Sequence, residues 1–108
     1  GDSITLTGPG SPAAGSQVTS TIAGAPASSA FGYFRGRFDT GSTIMGHDFD
    51  IGTPWVFTMV GQTDATGAGT FSGTIPPSAS GRTLYLEAAS MDSLGDIFDS
   101  NILQVDIQ

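Results

Sequence analysis

The single histidine, His47, is the residue of this chain best suited to acid–base chemistry, and Asp48 and Asp50 follow it closely. A catalytic histidine needs a nucleophile within hydrogen-bond reach and a third group that orients its ring. The chain has many serines, but none lies in a Gly-x-Ser-x-Gly elbow. One histidine without any cysteine cannot form a histidine-rich or thiolate zinc site. We therefore predict a loop histidine, no catalytic residues and a protein that is not an enzyme.

Three aspartates near the end of the chain, Asp92, Asp96 and Asp99, are the best candidates for binding a metal. Hard cations such as calcium take six to eight oxygen ligands, which carboxylates and loop carbonyls supply. The spacing does not match an EF-hand loop, and solvated charges around a turn explain the segment 92–101 equally well. We predict no required cofactor, with a calcium ion at these aspartates as the alternative.

Aromatic side chains raise the hypothesis of sugar binding, because their faces stack on pyranose rings. Tyr33 and Tyr85 alternate with apolar neighbours and are predicted to face outward, whereas Trp55 lies in the most apolar segment and is predicted to be core. A surface glycan bound by the two tyrosines is therefore an alternative partner.

The charge balance narrows the range of partners. Ten acidic residues face three arginines, lysine is absent, and the net charge is -7. Such a surface repels phosphate backbones, so nucleic acid is excluded as a partner. No apolar run approaches the ~20 residues of a membrane helix, so we predict no membrane insertion.

Composition also bears on location. Charged residues make up only 12% of the chain and glycines number 16, a balance that suits exposed strands rich in serine and threonine. We predict a secreted protein, extracellular or at the cell surface. The start at Gly1 fits either a mature chain after signal removal or a fragment of a larger protein.

Alternation of apolar and polar residues is the main structural signal, and no segment has helical spacing. It predicts one all-β domain over residues 1–108, a two-sheet sandwich of seven or eight short strands. The predicted strands cover 3–7, 18–22, 30–38, 47–51, 55–60, 70–75, 84–88 and 103–108.

Three local features refine this prediction. In the third strand, Arg35 and Arg37 favour a solvent-facing side that also carries Phe31 and Tyr33. The segment 55–60 is apolar on both faces, which is typical of a central, doubly covered strand. The segment 63–69 combines an aspartate with two glycines, which predicts the turn of a β-hairpin.

Four segments of the second half are similar to an Ig-like module common in large secreted proteins of environmental bacteria. They are the turn 63–67, the strand that ends at Ile75-Pro76, the strand 84–88 and the closing segment 100–103. The resemblance implies an Ig-like sandwich and an extracellular location. It implies no activity, because such modules have no catalytic residues to carry over.

The arrangement of the first strand suggests self-assembly. Residues 1–7 are separated from the rest by a proline- and glycine-rich linker, 8–16, which can span up to ~30 Å. The strand can therefore pair with a neighbouring copy as a donor strand, or fold back on its own domain.

We predict a non-catalytic extracellular structural module, a homo-oligomer or homopolymer that forms a filament or surface layer. The predicted assembly interface comprises Ile4, Leu6, Val56 and Val60. The alternative is a carbohydrate- or calcium-binding accessory domain that serves adhesion of a larger secreted protein.

Overall fold

The computed structural model describes residues 2–108, and Gly1, the first residue of the predicted donor strand, lies outside the described range. The chain is all-β, as predicted. A 3-10 helix at Pro77–Ala79 is the helical element of the described residues, in which no helix is long and apolar enough to span a bilayer. The strands are β1 (Asp2–Thr7), β2 (Gln17–Ala23), β3 (Ala30–Gly36), β4 (Ser42–Ile44), β5 (His47–Phe49), β6 (Trp55–Gln62), β7 (Gly69–Thr74), β8 (Thr83–Met91) and β9 (Ile97–Asp106).

Seven strands form one mixed sheet in the order β6-β3-β8-β9-β1-β2-β7, and β4 and β5 form a separate hairpin. Neighbours in the large sheet are antiparallel except β1 and β9, which are parallel. The sheet curls until it is nearly closed on itself. Tyr33 of β3 consequently stacks on Phe71 of β7, with ring centroids 4.1 Å apart and an interplanar angle of 9°.

The concave side of this curled sheet holds the main hydrophobic core. Alternate residues of the strands point into it, because successive side chains of a strand lie on opposite faces. Its buried members are Ile4, Leu6, Ile22, Ala25, Phe31, Ile75, Leu86, Ala88, Val105 and Ile107.

The predicted solvent-facing side of β3 is wrong over most of its length. Phe31 is buried in the main core, and Tyr33 is half-buried against Phe71. Arg35 and Arg37 are exposed because they lie where β3 ends and the core opens to solvent. The exposure of the two arginines therefore reflects their position at the end of the strand and does not extend to the rest of that face.

The convex side of β3 and β8 carries a second, smaller core. Phe34, Phe49, Ile51 and Ala89 are buried there, with half-buried apolar neighbours that include Trp55. The hairpin β4–β5 and the residues that follow it cover this side of the sheet. The irregular stretch between β3 and β6 thus serves as a lid for the outer face of the sheet.

Strand β6 lies at an edge of the sheet, so the prediction of a central, doubly covered strand is wrong. Its residues after Trp55 are all exposed. The predicted hairpin of β6 and β7 is also wrong, because β6 pairs with β3 and β7 pairs with β2. The predicted turn itself is present: Asp64 Oδ1 accepts hydrogen bonds from the N–H groups of Thr66 and Ala68, and Gly67 has φ +80°.

Strand β1 lies within its own domain. It pairs with β2 on one side and, near its start, with β9 on the other. Where β1 and β9 diverge, Asn101 Oδ1 accepts from the N–H of Leu6 at 2.8 Å and Asn101 Nδ2 donates to the Leu6 carbonyl at 3.1 Å. The amide side chain thereby replaces the missing backbone partner of β1.

The predicted linker 8–16 packs along the end of the chain. The Asp106 N–H donates to the Gly10 carbonyl at 2.8 Å, and the Gln108 N–H donates to the Pro12 carbonyl at 2.9 Å. Pro12 is buried. In this structure the segment is an ordered part of the domain surface.

Candidate assembly interface

The free edge of β6 is the most distinctive surface of the molecule. One side of the strand pairs with β3, and its other side has no strand partner among the described residues. Its apolar side chains remain accessible: Val56 is 54% exposed, Met59 62%, and Phe57 and Val60 38% each. Natural edge strands are usually shielded by lysine, proline or inward-pointing charge, and β6 contains none of these residues.

The edge is regular over its first five residues and irregular after them. Residues Trp55 to Met59 pair in sequence with Gly36 to Gly32, and Gly61 then pairs with Phe31. Val60 therefore has no partner on β3 and forms a β-bulge. A bulge bends a strand and limits flat pairing beyond it. The regular stretch that another strand could extend is 55–59.

An apolar groove adjoins this edge on the convex side of the sheet. It lies between the hairpin β4–β5 and strands β3, β6 and β8 and has a volume of about 370 Å³. Apart from Ser90, its lining consists of apolar residues and one glycine. Its largest side chains are Phe31, Phe34, Ile44, Met45, Phe49, Trp55, Phe57, Met59, Met91 and Ile97. An exposed apolar surface of this kind commonly marks an interaction site.

The four residues predicted for the assembly interface separate into two pairs. Ile4 and Leu6 are buried in the main core, at 2% and 3% exposure, so they could reach another copy only if β1 were exchanged. Val56 and Val60 lie on the exposed edge strand. Phe57 and Met59 were missed, because an apolar run on both faces has the same sequence pattern in a buried strand and in an exposed edge.

The predicted candidate for acid–base chemistry, His47, lies beside a carboxylate. Its Nε2 is 3.1 Å from Asp99 Oδ1, and its ring packs edge-on against Phe49. Within residues 2–108 no hydroxyl lies within hydrogen-bond distance of the ring. The pair fixes the hairpin β4–β5 to β9 but lacks the nucleophile of a hydrolytic site, and the absence of enzymatic activity stays a prediction.

Sequence reasoning also missed Glu87, which is fully buried. Its Oε1 accepts from the Ile51 N–H at 2.8 Å, and its Oε2 accepts from the Asp50 N–H at 3.2 Å. Burial raises the pKa of this carboxyl to about 7; the bonds from Ile51 and Asp50 lower it, and the charges of Asp50 and Asp99 raise it further. Because side chains alternate along β8, Glu87 is predicted to lie on the other face of the strand from Leu86 and Ala88. No local feature of the sequence indicates that the hairpin β4–β5 covers that face.

The three aspartates predicted to bind calcium do not converge. Asp92 Oδ1 accepts from the N–H groups of Leu94 and Asp96 and so closes the turn between β8 and β9. Asp99 is buried in β9 beside His47. Within residues 2–108 there is no group of three histidine, cysteine or acidic side chains arranged to hold a metal ion. The acidic loop also ends at Asp96, because β9 begins at Ile97.

The two tyrosines predicted to bind a glycan lie on opposite faces of the sheet. Tyr33 packs against the main core and has one ring face covered by Phe71. Tyr85 packs against the smaller core on the convex side. The two rings therefore do not form a common platform for a sugar chain.

Comparison with known proteins adds no family to this description: no protein-family model and no curated protein matches the chain.

Proposed function

We propose that the protein is a non-catalytic structural module that self-associates through the exposed edge of β6. The observation that carries this proposal is the unpartnered regular stretch 55–59 with its accessible apolar side chains. The backbone of an edge strand offers hydrogen bonds to another strand, and the apolar side chains supply the free energy of association.

The partner strand is β6 of a second copy. Side chains that are exposed and apolar on one copy then meet identical side chains on the other. The exposed residues of β7, the opposite edge, are threonine, serine and glycine, and its one large apolar side chain, Phe71, packs against the main core. Two copies of β6 in antiparallel pairing make a symmetric contact with a two-fold axis near Phe57. The same pairing brings the two apolar grooves together, since Trp55, Phe57 and Met59 line them.

Electrostatics oppose this contact and give it a characteristic salt dependence. Each copy carries a net charge of -7, so two copies repel one another at low ionic strength. Salt screens exposed charges over a distance of about 8 Å at physiological ionic strength. The dimer is therefore expected to strengthen as salt is added.

Sedimentation equilibrium across a concentration series tests the proposal. At high salt, where exposed charges are screened, the unmodified chain is expected to show a monomer–dimer equilibrium. Met59→Lys is expected to weaken the dimer at least tenfold, because lysine places a charge on the edge. Thr21→Lys is the matched control: Thr21 is exposed, lies on β2 away from β6, and undergoes the same change of charge. A strict monomer at all concentrations and salt levels, or equal effects of the two substitutions, would contradict the proposal.

The extracellular location and the Ig-like arrangement belong to the same proposal. The first is supported by the acidic, lysine-free composition. The second is supported by the way the curled sheet divides into four strands, β6-β3-β8-β9, that face three, β1-β2-β7, across one core.

A further inference from the structure

The three arginines of this acidic chain lie together at one end of the molecule. Arg35, Arg37 and Arg82 line a groove of about 830 Å³, here called the arginine groove. The groove also includes Phe38, Trp55 and Leu84, and no acidic residue lines it. It is formed where β3 and β9 end and where β6 and β8 begin.

The arginine side chains are exposed and have no internal partner. Within residues 2–108 none of them makes an ion pair or a side-chain hydrogen bond. Two aspartates, Asp39 and Asp106, lie near this end of the sheet, and neither lines the groove. Asp106 accepts hydrogen bonds from Thr83 and Gln104. The guanidinium groups are thus available to carboxylates from outside the chain.

Within residues 2–108, four solvent-accessible carboxylates lie at the opposite end of the sheet, next to the buried Asp99, and none of the three arginines lies there. Asp92 and Asp96 lie in the turn after β8, Asp64 lies in the turn after β6, and Asp2 begins β1. Strand pairing places these positions together, since Ala30 pairs with both Met91 and Gln62, and Asp2 pairs with Asp99. We call this set the acidic end.

The two ends are about 30 Å apart, which is the length of the nine-residue strand β8. Hydrogen bonds from Ala68 and Thr66 lower the pKa of Asp64, so this carboxylate stays charged at neutral pH. The molecule is therefore polar along its strands, with cations at one end and anions at the other.

We propose that the acidic end of one copy docks into the arginine groove of the next. The guanidinium fork pairs with carboxylates in bidentate geometry, and the groove lacks acidic residues that would compete. This inference rests on the proposed dimer. In an antiparallel pair of β6 strands, the arginine groove of one copy and the acidic end of the other lie at the same end of the dimer, and the two ends of the dimer are identical by symmetry.

Each end of the dimer is consequently complementary to the end of another dimer. Stacked dimers make two docking contacts at every junction, and two linked contacts bind more tightly than either alone. An end-to-end contact of this kind does not close on itself, so it produces a filament of dimers.

Two substitutions with the same change of net charge provide the sharpest test. Asp96→Arg and Asp39→Arg both change the net charge from -7 to -5, one at the acidic end and the other near the arginine groove. Sedimentation velocity at low salt should show species larger than a dimer for the unmodified chain, fewer for Asp96→Arg and more for Asp39→Arg. Equal effects of the two substitutions would overturn the proposal.

Complementary variants extend the test. R35E/R37E/R82E and D2R/D96R are each expected to stop at the dimer, and an equimolar mixture is expected to grow beyond it. Growth beyond the dimer should decrease with added salt, whereas the dimer should not.

The failures of the two proposals are distinguishable. If R35E/R37E/R82E polymerises as the unmodified chain does, or if the unmodified chain stops at the dimer at low salt, the end contact is wrong and the dimer stands. If the unmodified chain is monomeric, both are wrong. If it stays dimeric but binds polygalacturonate through the three arginines, the groove serves an acidic glycan, and the docking proposal is overturned.

Discussion

Replacing Glu87 with glutamine should remove a large pH dependence from the stability of the fold. The ordinary pKa of this carboxyl is 4.5, and its burial in the folded chain raises the pKa to about 7. Between these two values the folded chain keeps a proton that the unfolded chain has lost. The contribution of Glu87 to the unfolding free energy is therefore fully present below about pH 4.5, and it is lost as the pH rises through about 7.

The magnitude follows from the same two values. The difference between 4.5 and about 7 corresponds to about 3 kcal/mol of unfolding free energy. That is a large share of the total unfolding free energy of a typical domain, which is about 5–15 kcal/mol. In Glu87→Gln the side-chain oxygen still accepts from Ile51, while the amide nitrogen faces the Asp50 N–H and loses that bond. The free-energy cost of losing this hydrogen bond does not vary with pH.

The assay is urea unfolding at a series of pH values from about 4.5 to 8.5, followed by the fluorescence of Trp55, the single tryptophan. The quantity of interest is the unfolding free energy of the unmodified chain minus that of Glu87→Gln. This difference should fall by about 3 kcal/mol across the series. The same comparison in a His47→Gln background removes the contribution of the single histidine.

Asp106→Asn serves as the control for the pH series. Hydrogen bonds from Gln104 and Thr83 lower the pKa of Asp106, so its contribution is lost only on acidification below the range of the series. The unfolding free energy of the unmodified chain minus that of Asp106→Asn should therefore stay constant across the pH series. A difference curve for Glu87→Gln that is also flat, or that rises with pH, would refute the assignment of a protonated buried carboxyl.

The remaining predictions concern stability measured by the same urea unfolding. Asn101→Ala should lower the unfolding free energy by about 2 kcal/mol, because it leaves the N–H and carbonyl of Leu6 without partners. The control Gln104→Ala, at an exposed position, should lower it by less than about 0.5 kcal/mol. Equal costs would contradict the role given to Asn101. Gly67→Ala should cost about 3 kcal/mol or more, because φ is +80° and a Cβ would collide with the Ala25 carbonyl. Gly81→Ala has φ +79° and open space, so it should cost only about 1 kcal/mol; a Gly67→Ala cost no greater than this would rule out the collision.

The strands themselves could be predicted from the sequence because alternation is a local property. Ile4, Leu6, Val105 and Ile107 point into the core as their spacing indicates. The turn at Asp64 was predicted for the same reason, since an aspartate followed by glycine specifies its own hydrogen bonds.

What could not be predicted depends on which strands become neighbours. The apolar run 55–60 indicates a strand, but its place at the edge follows from the pairing of β3 with both β6 and β8. The burial of Glu87 depends likewise on the hairpin β4–β5, which crosses the convex face and donates two N–H groups to its carboxylate. Neither relation is recorded in the local pattern of residues.

The candidate edge of β6 could be predicted only in part for this reason. Val56 and Val60 are apolar in the sequence, and the edge exposes both. The arginine groove brings together Arg82 and two residues more than forty positions earlier, Arg35 and Arg37, through the pairing of β3 with β8. The sequence shows three arginines, and only the fold places them at one end.

Hydrogen–deuterium exchange as a function of protein concentration tests self-association through β6 most directly. The account predicts that the amides of 55–62 become protected as dimers form, while those of the other edge, 69–74, exchange at an unchanged rate. If the mass of the particles doubles without any slowing of exchange in 55–62, or with slowing at 69–74 instead, the edge of β6 is not the interface.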